Sequence, residues 1–310
     1  MKLCNYLRMI IIISFLSLAI CSSAKLSQAV PEAPTSELMV GYHHPSWSDV
    51  DPKDILVAFS VWAQKLASGV GLTVKTEIYT NIHKIVHDFQ QQKIDIMAIY
   101  ALDYLCIKPY IDAELAYSSV QQNKVSRKYL LLASAEKPFD SIQDGKGKKL
   151  ANVSEDQTAQ LFLNTLLFQN KLPEAKQFFS EIQNKKKLSQ TVLSLFFGQA
   201  DLAVTTDTTF LTMAELNPQL RKKLKIIAMS PPVLTRISLF RKGLDESLKK
   251  FLIHEAQIMH TTAQGRQFLL LMQGDEVRII SQADIAPLET MLHEYHRQNP
   301  ENNLCPVIKD

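Results

Sequence analysis

Apolar positions along this chain recur in two rhythms. Short, nearly continuous apolar runs bounded by polar or turn-forming residues read as strands buried on both faces. Longer stretches with an apolar residue every three or four positions read as helices packed on one face. The runs at 38–42 and 94–100 are of the first kind, and 72–79 alternates as a strand. Between them, Asp51-Pro52 opens a helix to about residue 68, ended by Gly69 and Gly71, and Asn81 is placed to cap a second. This β-α-β-α-β order predicts a parallel sheet covered by helices. A further strand is predicted at 129–133, and then the series restarts. The prediction there is a strand at 149–153, a helix from about 156 to 170, a short strand near 177–179, a helix at 189–197 and a strand opening at Asp201. Beyond Ser230-Pro231-Pro232, residues 234–241 alternate as a returning strand. Residues 245–262, 265–272 and 283–297 carry helical periodicity.

One phrase occurs twice. Gln-Gln-Lys-Ile-Asp-Ile-Met-Ala at 91–98 and Phe-Gly-Gln-Ala-Asp-Leu-Ala-Val at 197–204 each run from a helix end into one Asp and then into an apolar strand. Asp95 and Asp201 lie 106 residues apart, too far for a solenoid period and suited to two similar lobes. Expected, then, is an α/β protein of two similar doubly wound lobes. Lobe I is 37–126 plus 236–300, lobe II is 127–235, and crossings near 124–130 and 230–236 form a two-stranded hinge. Lobe interfaces of this kind hold small ligands.

The first residues carry an address. Lys2 and Arg8 precede or flank an apolar run at 9–20, followed by Ser22-Ser23-Ala24, as in a secretory signal peptide at 1–24. Residues 25–36 form a leader and 301–310 a tail. Export to the periplasm is expected; Cys21 invites a lipoprotein alternative, against which bulky Ile20 argues. Cleavage leaves 32 basic and 31 acidic residues, a balance with no bias towards nucleic acid. Two cysteines remain, Cys106 and Cys305, paired or separate. Lobe II holds 15 basic and 10 acidic residues. Its runs Lys185-Lys186-Lys187 and Arg221-Lys222-Lys223 are solvated loops or a steering field for an anion.

The chain also resembles a known family: type II periplasmic solute-binding proteins of ABC transporters, and within them the phosphonate/phosphite-binding branch. The resemblance is carried by Gln92-Lys93-Ile94-Asp95-Ile96, Lys146-Gly147-Lys148-Lys149-Leu150-Ala151, Gly198-Gln199-Ala200-Asp201-Leu202-Ala203, Ser230-Pro231-Pro232 and Thr262-Ala263-Gln264-Gly265-Arg266. It implies a binding protein that closes on a small polar ligand and delivers it to a membrane ABC permease, or alternatively signals to a membrane sensor protein. Where the branch places a Ser-Thr-Ser anion nest, this chain has Gln157-Thr158-Ala159, preceded by Glu155 and Asp156. Asp207 matches the acidic residue that family members set against a ligand amine. A phosphonate- or phosphate-like ligand, or one bearing an amine, is therefore expected.

Ligands of open α/β sheets bind outside the carboxyl ends of the strands. The candidate ligand-binding residues are accordingly Tyr42, His43, Tyr79, Thr80, Asn81, Tyr100, Gln157, Thr158 and Asp207, with His44 near the first of them. Asn81 and Asp156 are equally suited to plain helix caps. Eight histidines raise the question of a metal, but His83 and His87 lack completing ligands, and no metal or other cofactor is expected. The sequence has no Gly-x-Ser-x-Gly, His-Glu-x-x-His or glycine-rich phosphate loop, so no catalytic residue and no enzyme is expected. A monomer is expected.

Overall fold

The computed structural model describes residues 37–43, 51–300 and 304–305, all within one compact unit. The segment 1–24, the leader 25–36, His44 and most of the 301–310 tail lie outside the described residues. The chain opens with β1 (Glu37–His43), α1 (Pro52–Val70), β2 (Thr73–Tyr79), α2 (Ile82–Gln90), β3 (Ile96–Tyr100), α3 (Ala101–Ile107), β4 (Ala113–Leu115) and β5 (Tyr117–Val120). The two-residue strand β6 (Ser126–Arg127) leads away from them. Next come β7 (Tyr129–Ser134), β8 (Lys149–Val153), α4 (Gln157–Gln169), α5 (Ala175–Phe178), β9 (Glu181–Lys185) and α6 (Leu188–Phe196). They are followed by β10 (Leu202–Thr206), α7 (Asp207–Leu216), α8 (Gln219–Lys223) and β11 (Leu224–Met229). The chain returns through β12 (Val233–Leu234) to β13 (Arg236–Arg241), α9 (Glu246–Ile258), α10 (Ala263–Leu271), β14 (Glu276–Ile279) and α11 (Gln282–Gln298).

Two five-stranded sheets result, in the orders β2-β1-β3-β13-β4 and β11-β7-β10-β8-β9. Parallel strands fill one side of each, and one antiparallel strand, β13 or β7, lies against the last parallel strand, β3 or β10. Strands β6 and β12 pair antiparallel, Arg127 opposite Val233 and Ser126 opposite Leu234, which is the two-stranded hinge. The fold is the expected pair of doubly wound lobes.

The repeated Asp is a sheet clamp in both lobes. Asp95 accepts from the N–H of Met39 (2.8 Å) while its own N–H donates to the Met39 carbonyl (2.9 Å), and Arg241 Nε closes the group at 2.7 Å. Asp201 does the same with Lys149 (3.1 and 2.9 Å), with Lys137 Nζ in place of the arginine at 2.6 Å. The turn before each Asp also repeats. Gln92 and Gly198 both take left-handed backbone, φ 56° and 70°, because each reverses the chain after a helix so that the next strand can enter the sheet.

One predicted element is corrected. Residues 175–178 are a helical turn, closed by bonds from Phe178 N–H to Glu174 and from Phe179 N–H to Ala175, and the strand lies further on, at Glu181–Lys185. The apolar pair Phe178-Phe179 mimicked a strand, whereas the true strand is a polar edge without an apolar run. Cys106 and Cys305 form a disulfide, with Cα atoms 5.2 Å apart, tying α3 to the chain beyond α11. Helix α11 packs on both α3 and α4 and so touches both lobes behind the hinge.

Candidate ligand-binding site between the lobes

The strand ends of the two lobes face one another, and a cavity of about 300 Å³ lies between them. The lobes meet it through equivalent positions. In lobe I, Tyr100 ends β3 opposite Arg236, the first residue of β13, and the N–H of Ala101 donates to the carbonyl of Thr235. In lobe II, Thr206 ends β10 opposite Tyr129, the first residue of β7, and the N–H of Asp207 donates to the carbonyl of Lys128. Tyr100, Thr235 and Arg236 on one side, and Tyr129 and Thr206 on the other, all line the cavity.

The lobe II wall follows the order of its strands. Tyr129 stands at the start of β7, Thr206 at the end of β10, Val153 at the end of β8, and Lys186 and Lys187 just beyond the end of β9. Two helices begin at this wall. Thr206 caps α7, its hydroxyl accepting from the N–H of Thr209 at 3.3 Å, and Thr208 and Thr209 face the cavity from the first turn. At the start of α6, the side chain of Gln190 accepts from the N–H of Lys186 and Lys187 and fixes the turn that presents them and Ser189. The first turns of helices favour negative charge.

Positive charge dominates. Arg127, Arg236, Lys186 and Lys187 line the cavity with one carboxylate, Asp156. Burial, and then the neighbouring Arg236, push the Arg127 guanidinium below its ordinary range; Tyr129, Asp156 and Asp207 offset this in part. Asp156 is held from below: both its oxygens lie within 3.0 Å of the Tyr129 hydroxyl, and it accepts from the N–H of Ala159 as the cap of α4. Burial nevertheless raises its carboxyl above the usual range.

Of the residues singled out from the sequence, Tyr100 lines this cavity and the other eight do not. Tyr42 is buried in lobe I, edge-on to Phe59, beside a separate apolar cavity of about 60 Å³. His43 is buried with Nδ1 3.2 Å from Asp103. The Tyr79 hydroxyl donates to Asp88 at 3.1 Å, Thr80 is exposed, and Asn81 caps α2 by accepting from His83 and Lys84 N–H. Gln157 opens α4, and Thr158 is buried within it at 1 % exposure. The Asp207 carboxylate turns back, accepting from the N–H of Lys128 (3.1 Å) and Thr208 (2.9 Å), with Lys124 Nζ 3.6 Å away. Its charge is therefore engaged at the hinge and the start of α7. The lysines at 186–187 were legible as a basic run, and Thr206 as a strand end. Arg127 and Arg236 gave no local signal.

Among the described residues, no group of three or more His, Cys, Asp or Glu is placed to hold a metal ion, and no helix is long and apolar enough to cross a membrane. A lobe I hairpin tip, left-handed at Gln122 and Asn123, reaches across the cleft, and Gln122 Nε2 donates to Thr212 of α7 at 3.1 Å.

The family described as "ABC transporter, phosphonate, periplasmic substrate-binding protein" matches residues 47–285. The chain belongs to that family. Solved structures share the fold of this phosphonate-family protein at low identity. A binding-protein component of an ABC phosphonate transporter from Pseudomonas aeruginosa is 16% identical, covering 87% of this chain and 89% of its own, with a TM-score of 0.60. PhnD1 from Prochlorococcus marinus, solved with methylphosphonate, is 13% identical over 84% of this chain and 99% of its own, with a TM-score of 0.62. XAC2383 from Xanthomonas citri, solved with ATP, is 11% identical over 87% of this chain and 100% of its own, with a TM-score of 0.63. No curated protein matches the sequence. At the start of α4, Asp156 accepts from the N–H of Ala159.

Proposed function

We propose that the protein is exported through its 1–24 segment, closes its two lobes on a small organic anion of the phosphonate or phosphate type, and delivers it to an ABC permease. The observation that carries this reading is the lining of the interlobe cavity. Arg127, Arg236, Lys186 and Lys187 outnumber the single carboxylate Asp156, and the hydroxyls of Ser189, Thr206, Thr208 and Thr209 stand beside them. Guanidinium and ammonium groups gathered in one cleft favour an anion, and charge-assisted hydrogen bonds of guanidinium to phosphonate suit them to it. PhnD1 was solved with methylphosphonate, which makes that compound a natural first probe. Closure follows from differential affinity, since a ligand that touches both lobes only when they are shut shifts the population towards the shut state.

Thermal denaturation with added ligand tests this reading. Methylphosphonate or 2-aminoethylphosphonate at about 100 times its dissociation constant should add about 2.7 kcal/mol of stability, while ethanolamine, which keeps the amine and lacks the anion, should add none. Stabilisation by the amine alone, with none from phosphonates, phosphate or sulfonates, would refute an anion site.

A further inference from the structure

Resting on that reading, we infer that the cleft is built for a two-headed anion, one acidic group held by Arg127 and Arg236 at the hinge and the other by Lys186, Lys187 and the first turn of α6. The strand order gives the spacing. Tyr129, which follows Arg127 by two residues, starts β7, whereas the lysines follow β9, and β10 and β8 lie between. Three inter-strand steps separate the two backbone positions by about 14 Å. Both groups of cations nevertheless line one continuous cavity. A single tetrahedral head engages donors within about 3 Å of its oxygens, which covers one end of this row.

The middle of the row points the same way. There the wall is Thr206 and Asp156, and the Asp156 carboxyl is fixed between the Tyr129 hydroxyl and the Ala159 N–H. A carboxylate repels an anionic head placed against it, so the favourable places for negative charge lie to either side. A ligand with acidic ends and a neutral or donor-bearing centre matches this alternation. Lys186 and Lys187 are exposed at this end of the cavity, where their ammonium groups are placed to meet a second acidic group.

Titration calorimetry on the full mature chain tests the inference with three probes: methylphosphonate, 3-phosphonopropionate and pyrophosphate. At least one two-headed probe should bind at least about 10-fold more tightly than methylphosphonate, the scale of one added charge-assisted contact. The double substitution Lys186→Ala/Lys187→Ala should abolish that advantage, weakening the two-headed probe at least about 10-fold more than it weakens methylphosphonate. Lys176→Ala/Lys222→Ala, which removes the same charge from exposed positions outside the cavity, should leave the ranking intact. Arg127→Ala should weaken all three probes. Equal affinity for one- and two-headed probes, or an equal loss for all three in the Lys186/Lys187 variant, would overturn the inference while leaving the anion-binding function standing. Failure of all three probes to bind would overturn both.

Discussion

The two lobes share a plan and divide the work. Each places an Asp before its last parallel strand to clamp that strand to a neighbour, and each meets the cleft with the first residue of an antiparallel strand. Lobe I turns its strand-end groups into its own interior: Tyr42 against Phe59, His43 beside Asp103, Tyr79 on Asp88. Lobe II and the hinge instead bring three of the four cavity cations, Arg127, Lys186 and Lys187, along with most of the hydroxyls. The same scaffold thus yields a rigid wall on one side and a charged, hydroxyl-rich wall on the other. A binding face is made by leaving strand-end groups available, which lobe I does at few positions.

The disulfide offers the largest break in this comparison, because it ties α3 of lobe I to the chain beyond α11 while residues 127–235 contain no cysteine. It closes a loop spanning 199 residues of chain. Cys305→Ser should lower unfolding stability by about 2–5 kcal/mol, read by chemical denaturation of the oxidised protein. Ligand affinity should be retained, since neither cysteine lines the cleft.

The paired clamps are next. Asp95→Ala removes the carboxylate from the half-buried Arg241 and from the Met39 N–H, and should cost about 2–3 kcal/mol. Asp201→Ala leaves the more exposed Lys137, screened by solvent, and should cost about 1 kcal/mol. Equal losses in urea unfolding would show that the two lobes do not differ in this way. The pH dependence follows. Burial alone would raise Asp201, but hydrogen bonds from Lys137 and from the Lys149 N–H outweigh it and hold the carboxyl below its usual range. Its contribution is therefore complete above the unfolded carboxyl value of about 3.9 and is lost as pH falls through the lower folded value.

Asp156 has the opposite sign within the same lobe. Its carboxyl is raised, so the folded protein takes up this proton before the unfolded chain does, and stability gains from that group as pH falls through the folded value. Anion affinity should rise over the same interval, because protonation removes the one carboxylate in the cavity. Asp156→Asn retains a helix-capping side chain and should tighten binding of a sulfonate, whose own charge is constant over this range, by about 1 kcal/mol at neutral pH. It should also flatten the dependence of affinity on pH. Weaker binding in calorimetry would mean that Asp156 is itself a ligand contact.

The smallest effect is expected at the repeated turn. Gln92 occupies in lobe I the left-handed position that Gly198 occupies in lobe II. Gln92→Gly should therefore stabilise the protein by about 0.5–1 kcal/mol, whereas Gly198→Ala should destabilise it by a similar amount. Thermal unfolding of the two variants would separate them.

Strand and helix order, the two-lobe repeat, the hinge crossings and the family were determined by the sequence itself. Each of these depends on hydrophobic periodicity or on short phrases such as Lys-Ile-Asp-Ile and Gln-Ala-Asp-Leu, which act over a few neighbouring residues. The elements missed include the edge strands Ala113–Leu115, Leu224–Met229 and Glu181–Lys185; the last has no apolar run, and its pairing is decided by β8 beside it. Tertiary structure alone decided where the cleft's charge lies. Arg127, Lys186 and Arg236 are far apart in the chain and meet only because the hinge strands pair and the order β7-β10-β8-β9 lines up their ends. It also decided which carboxylate is part of the site. Asp156 and Asp207 look alike as residues at helix starts, but Asp207 is turned onto the N–H of Lys128 while Asp156 is held at the cavity wall by Tyr129. A charged side chain has no periodicity to betray its direction, so its role is fixed by the long-range partners that meet it.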